Sequence, residues 1–261
     1  MGKEYPFIPS GPIHKYADFE TAYNILNSSS FKFTCPLDFN DPFDCNLEVL
    51  DFSPTKESEE LVRESIKRIP QGTEELKESV VTEILDSPEE FRKMYRQIIK
   101  AKIKRSGVTC FSKSYENTLM WSHYANKHQG VCLEFNSELD IDNILKTQQV
   151  GIFVNVDYEP VDKINYNENK VDATVQLFSH KSADWKYEEE VRLVVINQKD
   201  TVQFTKEFLT GVIFGCRMEA EQIDELKEVI EQMGYSVSLK DALSFIRRNF
   251  LLLLSTAYIW Y

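Results

Sequence analysis

The sequence has no Cys-x-x-Cys pair, no glycine-rich phosphate loop, no Gly-x-Ser-x-Gly elbow and no His-Glu-x-x-His helix. Each absence removes a class of protein. Without paired or densely spaced thiols, the five cysteines (Cys35, Cys45, Cys110, Cys132, Cys216) indicate neither a disulfide framework nor a zinc ribbon, and they read as reduced, mostly buried thiols. The missing glycine loops and serine elbow remove the usual fingerprints of dinucleotide-binding and hydrolase folds. No repeat period is visible, which argues against a solenoid or propeller. Positive charge is short as well: a net charge of −12 works against capture of nucleic acid by overall field, because phosphate neutralisation needs a basic footprint. No charged-then-apolar leader opens the chain, so a cytoplasmic setting is expected. The apolar run within NFLLLLSTAYIWY (249–261) is too short for a helical membrane span.

What is present is the composition of a folded globular chain, with 42% apolar, 12% aromatic and 28% charged residues. Its 261 residues suffice for one large α/β domain or two modest ones. IHKY (13–16) reads as a strand, Asp18 as the N-cap of the helix FETAYNILN, and FKFT (31–34) as a second strand. From about 55 to 105 the texture is helical, broken at Pro70-Gln71-Gly72 and at Ser87-Pro88, where Ser87 fits an N-cap followed by a first-turn proline and acids. VTCF (108–111), VCLEF (131–135), GIFVNVDYE (151–159), EEVRLVVIN (189–197), TVQFT and GVIFG read as strands. Helices are expected at roughly 172–183 and at 218–233, the latter stopped by Gly234. The expected class is α+β: a central, mostly antiparallel or mixed sheet with flanking helices. It spans 1–240 as one domain with a helical insertion at about 55–105. An apolar tail follows at 241–261, buried against the domain or a protein partner, with a membrane-surface anchor helped by Arg247 and Arg248 as the competing reading.

Four tracts concentrate groups able to do chemistry. In LMWSHYANKHQGVCLEF (119–135), Asn117 caps a short helix that Gly130 ends, and Trp121, Tyr124 and His128 share a face at i, i+3 and i+7. That face either stacks a planar ligand while His123 and His128 bond its polar edge, or packs on the sheet. The two histidines are five apart, which does not suit a helical zinc pair, so no metal is expected. Cys110 beside either histidine is a conceivable nucleophile that nothing in the spacing requires. In KSADWKYEEEVRLVVIN (181–197), a strand from Glu188 would place Glu188, Glu190 and Arg192 on one side. Either that side is a wet edge with a Glu190 to Arg192 ion pair, or it lines a site where a carboxylate meets positive charge. In FNDPFD (39–44), Asn40 and Asp41 either knot the loop, pinned by flanking aromatics, or contact a ligand that the loop covers. FRKMYRQIIKAKIKR (91–105) carries seven bases and no acid, with Phe91, Tyr95, Ile98 and Ile99 as its expected buried face. Its bases either pair with nearby acids or offer a local nucleic-acid-contacting face.

Together the blocks FKFTCPLDFNDPFDC, VTCFSKSYENTLMWSHYANKHQGVCLEF and KSADWKYEEEVRL resemble the bacterial family called domain of unknown function 2971, over about residues 13–235. That resemblance implies no activity. IHKYADFETAYNIL is more distantly similar to the opening strand and helix of ADP-ribosyltransferase toxins, and Glu188-x-Glu190 resembles their paired-glutamate late strand. This likeness implies NAD as substrate. His14 or Lys15, with Tyr16 on the same strand, would then contact the ribose or phosphate. Tyr124 would stack on nicotinamide, and Glu190 with Glu188 would supply the catalytic acid; from the tracts themselves, Trp121, His123, Asn40, Asp41 and Arg192 are further expected contacts. The Ser-Thr-Ser motif of those toxins is absent. The expectation is an ADP-ribosyltransferase-like toxin or phage-defence effector modifying nucleic acid or protein. A non-catalytic module sensing a nucleotide-like small molecule, and a hydrolase or nuclease, are the alternatives.

Overall fold

The computed structural model describes residues 9–138, 145 and 151–242. Eleven strands and seven α-helices are described: β1 (Ile13–Ala17), α1 (Phe19–Ser28), β2 (Ser30–Phe33), β3 (Leu50–Asp51), α2 (Lys56–Lys67), α3 (Glu74–Asp86), α4 (Pro88–Ile103), β4 (Gly107–Ser112), α5 (Thr118–Tyr124), β5 (Val131–Phe135), β6 (Gly151–Asn155), β7 (Ile164–Asn165), α6 (Lys170–Ser179), β8 (Glu190–Val195), β9 (Asp200–Gln203), β10 (Leu209–Phe214), α7 (Ala220–Met233) and β11 (Ser238–Asp241). Seven strands form a mixed sheet in the order β11-β10-β5-β1-β4-β8-β6. Every pair in it is antiparallel except β10 with β11. The class is α+β, as the strand and helix texture implies.

Period-2 alternation sorts the sheet's side chains into two faces. On one, Ile13, Phe111, Leu133, Phe135, Val191, Leu193 and Val212 join Leu26 of α1, Leu226 of α7 and Phe31 of β2 in the largest core. α1 and α7 cover this face, and the ring of Phe31 stacks on Phe204 at 4.5 Å. On the other face, α5 packs Met120 and Trp121 over Tyr16, Cys132 and Ile213, while α6 packs Val175 and Phe178 over Val108, Val154 and Val194. The insertion α2–α4 has a core of its own, where Val62, Phe91, Tyr95, Ile99 and Ile103 meet Ala173 and Leu177 of α6. Ile98, expected on that buried face, is 44% exposed; Ile103, at i+4 from Ile99, takes the place instead.

Local chemistry accounts for most boundaries. Asp18 accepts from the Thr21 amide and starts α1; Ser87 accepts from the Glu90 amide and starts α4 with Pro88 in its first turn. Gly234, at φ 68°, ends α7 in the left-handed conformation that favours glycine. α5 is shorter than expected: Asn117 does cap it, but it stops at Tyr124, and Asn126, Lys127 and His128 follow at φ 44°, 56° and 71°. Gly130 therefore has a different task. A Cβ there would lie 2.1 Å from the Ala17 carbonyl oxygen, so only glycine lets β5 pair with β1 at this point. The helix expected at 172–183 ends at Ser179, and a 3-10 segment, Ala183–Glu188, leads into β8. The apolar run at 249–261 lies outside the described residues.

Candidate functional site

The site begins as a defect in strand pairing. β1 pairs β5 at all five of its residues but meets β4 only at His14 opposite Ser112. Thr34, just past β2, bridges the far end of β4 at Val108. Between those two points no strand among the described residues lies beside the inner edge of β4, and Lys15 fills the gap. Its ammonium donates to the Thr109 hydroxyl at 2.9 Å and to the Cys110 carbonyl at 3.0 Å. A half-buried carbonyl on that edge is thereby satisfied by a side chain. Burial holds the Lys15 ammonium below its usual range.

A cavity of about 340 Å³ opens at this gap. Its walls come from β1 (His14, Lys15, Tyr16), β4, the loop after β2 (Phe39, Asn40, Asp44), α5 (Met120, Tyr124) and the segment around Lys181, Glu188 and Glu190. Glu188, Glu190, Tyr124 and the strand 13–17 therefore converge, although up to 176 residues separate His14 from Glu190.

The floor is a buried charge network. The Arg192 guanidinium is fully buried, and protein oxygens accept from all its nitrogens. It clasps Glu190 (Nε to Oε1 2.9 Å, Nη2 to Oε2 3.0 Å) and Asp44 (Nη1 to Oδ1 2.8 Å, Nη2 to Oδ2 2.6 Å), and Nη1 also donates to the Phe178 carbonyl at 2.9 Å. Such two-pronged pairing is what the planar guanidinium favours. Lys181 donates to Glu188 at 2.5 Å and to Glu190 at 2.9 Å, and Tyr124 donates its hydroxyl to Glu188 at 2.6 Å. The backbone amide of Glu190 donates to the Tyr158 hydroxyl at 2.9 Å. Burial pushes the Glu190 carboxyl up, but Arg192 and Lys181 outweigh it and bring it down to about 2. Burial pulls the Lys181 ammonium down, yet Glu190 and Glu188 carry it above its usual value. Burial, reinforced by Glu188, raises the Tyr124 phenol. All three carboxylates of the network face cations, and of the two alternatives for this face the wet edge gives way to a buried Glu190 to Arg192 pair.

The sequence-predicted residues thus divide. Glu190 opens β8, but Glu188 ends the preceding 3-10 segment and Glu189 between them sits at φ 45°, so the two acids meet through a turn rather than through strand alternation. His14, Lys15, Tyr16, Asn40 and Tyr124 line the cavity. His14 is buried, with no hydrogen-bond partner for either ring nitrogen among the described residues and Glu134 at 3.6 Å; burial lowers its imidazole, outweighing the pull of that carboxylate. Trp121 does not reach the cavity: it is fully buried, edge-on to Tyr16 at 5.2 Å, with its Nε1 donating to the Tyr115 carbonyl. Arg192 lies beneath the floor with every donor engaged, and so positions Glu190 and Asp44 rather than offering itself to a ligand. His128 follows α5 instead of riding on it and bonds Ser122 at 3.2 Å. Asp41 knots its loop by accepting from the Phe43 amide and also accepts from Trp185 Nε1 at 2.9 Å. Of the two flanking aromatics expected to pin the loop, Phe39 does so, packed against the core with Arg192 5.7 Å from its ring, whereas Phe43 is 73% exposed. His123 faces a neighbouring hollow with Asn40, Tyr124 and Trp185.

Asp44 and Lys181 are the residues that sequence reasoning missed. A signal existed: two acids and one arginine near a buried strand cannot be neutralised by themselves, so further charges had to come from elsewhere. Of the basic run, Arg96 pairs with Glu48 at 2.6 Å and Lys93 with Glu90 at 3.3 Å, so these bases are spent on nearby acids. No helix among the described residues is long and apolar enough to cross a membrane, and no group of three or more His, Cys, Asp or Glu among them could hold a metal ion.

The profile of the family described as Protein of unknown function (DUF2971) matches residues 120–193. The family resemblance read from the sequence blocks is supported there, over α5 through most of β8, which carries Tyr124, Lys181, Glu188, Glu190 and Arg192. No curated protein and no solved structure matches the chain.

Proposed function

We propose that this cavity takes NAD and that the protein is an ADP-ribosyltransferase-like enzyme. One observation carries the reading: Lys15, Lys32 and Lys181 stand around the same cavity whose floor holds Glu188 and Glu190. Ammonium groups suit a pyrophosphate, and carboxylates suit the positive charge that develops on a sugar when its glycosidic bond breaks. In this reading nicotinamide leaves with the electron pair of the C1′–N bond, and a carboxylate beside C1′ stabilises the oxocarbenium-like sugar until an acceptor attacks. Glu188 suits that task better than Glu190. Glu190 receives three hydrogen bonds from Arg192 and Lys181, whereas Glu188, which also lines the cavity, receives one from Lys181 and one from Tyr124 and so is the less committed of the two. Glu190 then acts as a positioning residue, holding Lys181 between the two acids.

The test is release of labelled nicotinamide from NAD by the purified protein. Glu188→Gln should abolish release while the protein stays folded; release undiminished in that variant removes Glu188 from the chemistry. A sensor of a nucleotide-like molecule is favoured by one observation, the near-complete internal pairing of the floor, which suits a static site. It requires NAD binding without turnover, surviving Glu188→Gln. The same proposal carries a cytoplasmic effector role, for which expression toxicity lost in Glu188→Gln is the check.

A further inference from the structure

Beside the cavity lies a second hollow of about 430 Å³, lined by Asn40, His123, Tyr124, Asp184, Trp185 and Tyr187. Asn40 and Tyr124 line both. Four rings gather here. His123 lies 6.3 Å from Tyr187, Trp185 lies 6.1 Å from Tyr187, both pairs tilted at 39°, and His123 lies 6.4 Å from Tyr124. His123 and Tyr124 are exposed, and Trp185 and Tyr187 are half-buried. Two of the rings are held in place by polar partners, and the backbone carrying a third is anchored. Trp185 is fixed by Asp41 at 2.9 Å and by the Lys181 ammonium 5.0 Å from its ring. Asn117 donates to the Tyr187 carbonyl at 2.6 Å, and Tyr124 donates to Glu188. Pre-set aromatic faces open to solvent are a stacking platform for another flat ring.

We infer that this hollow seats the acceptor of the transfer reaction, and that the acceptor is a nucleobase bearing an amino group. The inference rests on the NAD reading of the neighbouring cavity. Its polar fringe selects the ring. The Asn40 amide offers a donor and an acceptor, as a base edge requires, while Asp184 only accepts and so favours amino groups over the paired carbonyls of uracil. A phenyl ring would leave that fringe unused, and a phenol would meet it through a single hydroxyl rather than a base edge. Position selects the role: Tyr124 forms part of the hollow, and its hydroxyl touches Glu188, so a ring stacked there lies next to the carboxylate. In the transfer, the bond from C1′ to nicotinamide breaks with its electron pair going to nicotinamide. A new bond forms from an acceptor nitrogen to C1′, and the proton lost by that nitrogen passes to Glu188 and then to solvent.

Ligand-observed NMR titration of the full chain without NAD tests the seat independently of any turnover. Guanosine, adenosine and cytidine should bind, and uridine and N-acetyltyrosinamide should bind several-fold more weakly. Tyr187→Leu should weaken nucleoside binding about tenfold, as loss of one stacking face does, whereas Tyr187→Phe, which keeps the ring, should retain it. Asp184→Asn should narrow the gap between guanosine and uridine. Absence of nucleoside binding by the folded parent, binding indifferent to Tyr187→Leu, or preference for N-acetyltyrosinamide overturns the inference. Displacement of guanosine by NAD would make the hollow the dinucleotide's own adenine seat, which overturns it too. Nicotinamide release without nucleoside binding would leave the NAD reading standing while this one fails; nucleoside binding without release would keep a stacking seat but overturn both the NAD reading and the acceptor role inferred from it.

Discussion

Replacing Arg192 with methionine probes the floor of the cavity most severely. The side chain is fully buried and donates to Glu190, Asp44 and the Phe178 carbonyl, so methionine removes all of those bonds at once while roughly filling the volume. Three carboxylates, Asp44, Glu188 and Glu190, are then left with Lys181 as their one cation in the network. Removing one partner of a buried ion pair costs about 3–5 kcal/mol, because the survivor keeps its desolvation penalty without its compensation. Two carboxylates lose Arg192 here, so the upper end is expected, and the urea midpoint should fall by roughly 1–2 M. Pairing the change with Asp44→Leu should recover part of the loss, since the second substitution removes one of the stranded charges. Equilibrium urea unfolding of the parent, both single variants and the double variant is the assay. A loss below about 1 kcal/mol, or a double variant no better than Arg192→Met, would refute the idea that internal neutralisation holds the floor together.

Three further outcomes follow from the same geometry. Because the folded Glu190 carboxyl is held at about 2 against an ordinary 4.5, its contribution is fully present above pH 4.5 and is lost as pH falls toward 2. Acid unfolding should therefore begin below pH 4.5 and be blunted in Glu190→Gln; an unchanged acid limb contradicts this. Gly130→Ala should cost more than about 2 kcal/mol, because its Cβ meets the Ala17 carbonyl oxygen at 2.1 Å, and a neutral result in thermal melts would show that β1 and β5 can shift apart. Arg96→Ala should cost under about 1 kcal/mol, because its pair with Glu48 is exposed, and should leave nicotinamide release unaltered.

The order of elements was readable because it is written in local signals. Asp18, Ser87 and Gly234 act through neighbours three or four residues away, and Val191, Leu193 and Val195 alternate toward the core as a strand must. The site was readable in part for the same reason: Glu190 and Tyr124 sit on elements whose faces can be computed from spacing. Asp44 and Lys181 could not be assigned that way. Asp44 meets Arg192 across 148 residues, and no periodicity encodes such a contact. The Glu188 to Glu190 pair converges through a left-handed Glu189, a backbone state that strand alternation does not anticipate. Trp121 looked like a ligand platform because its helix face was right, but helical phase does not say whether that face meets a sheet or a cavity; here it meets Tyr16.

The most direct measurement is a crystal structure of the protein with a non-cleavable carbocyclic NAD analogue. The expected result is density in the cavity between β1 and β4, with the analogue's C1′ position beside the Glu188 carboxylate and its phosphates toward Lys15 or Lys32. An analogue bound elsewhere on the surface, or a cavity that stays empty at saturating analogue, would contradict the assignment.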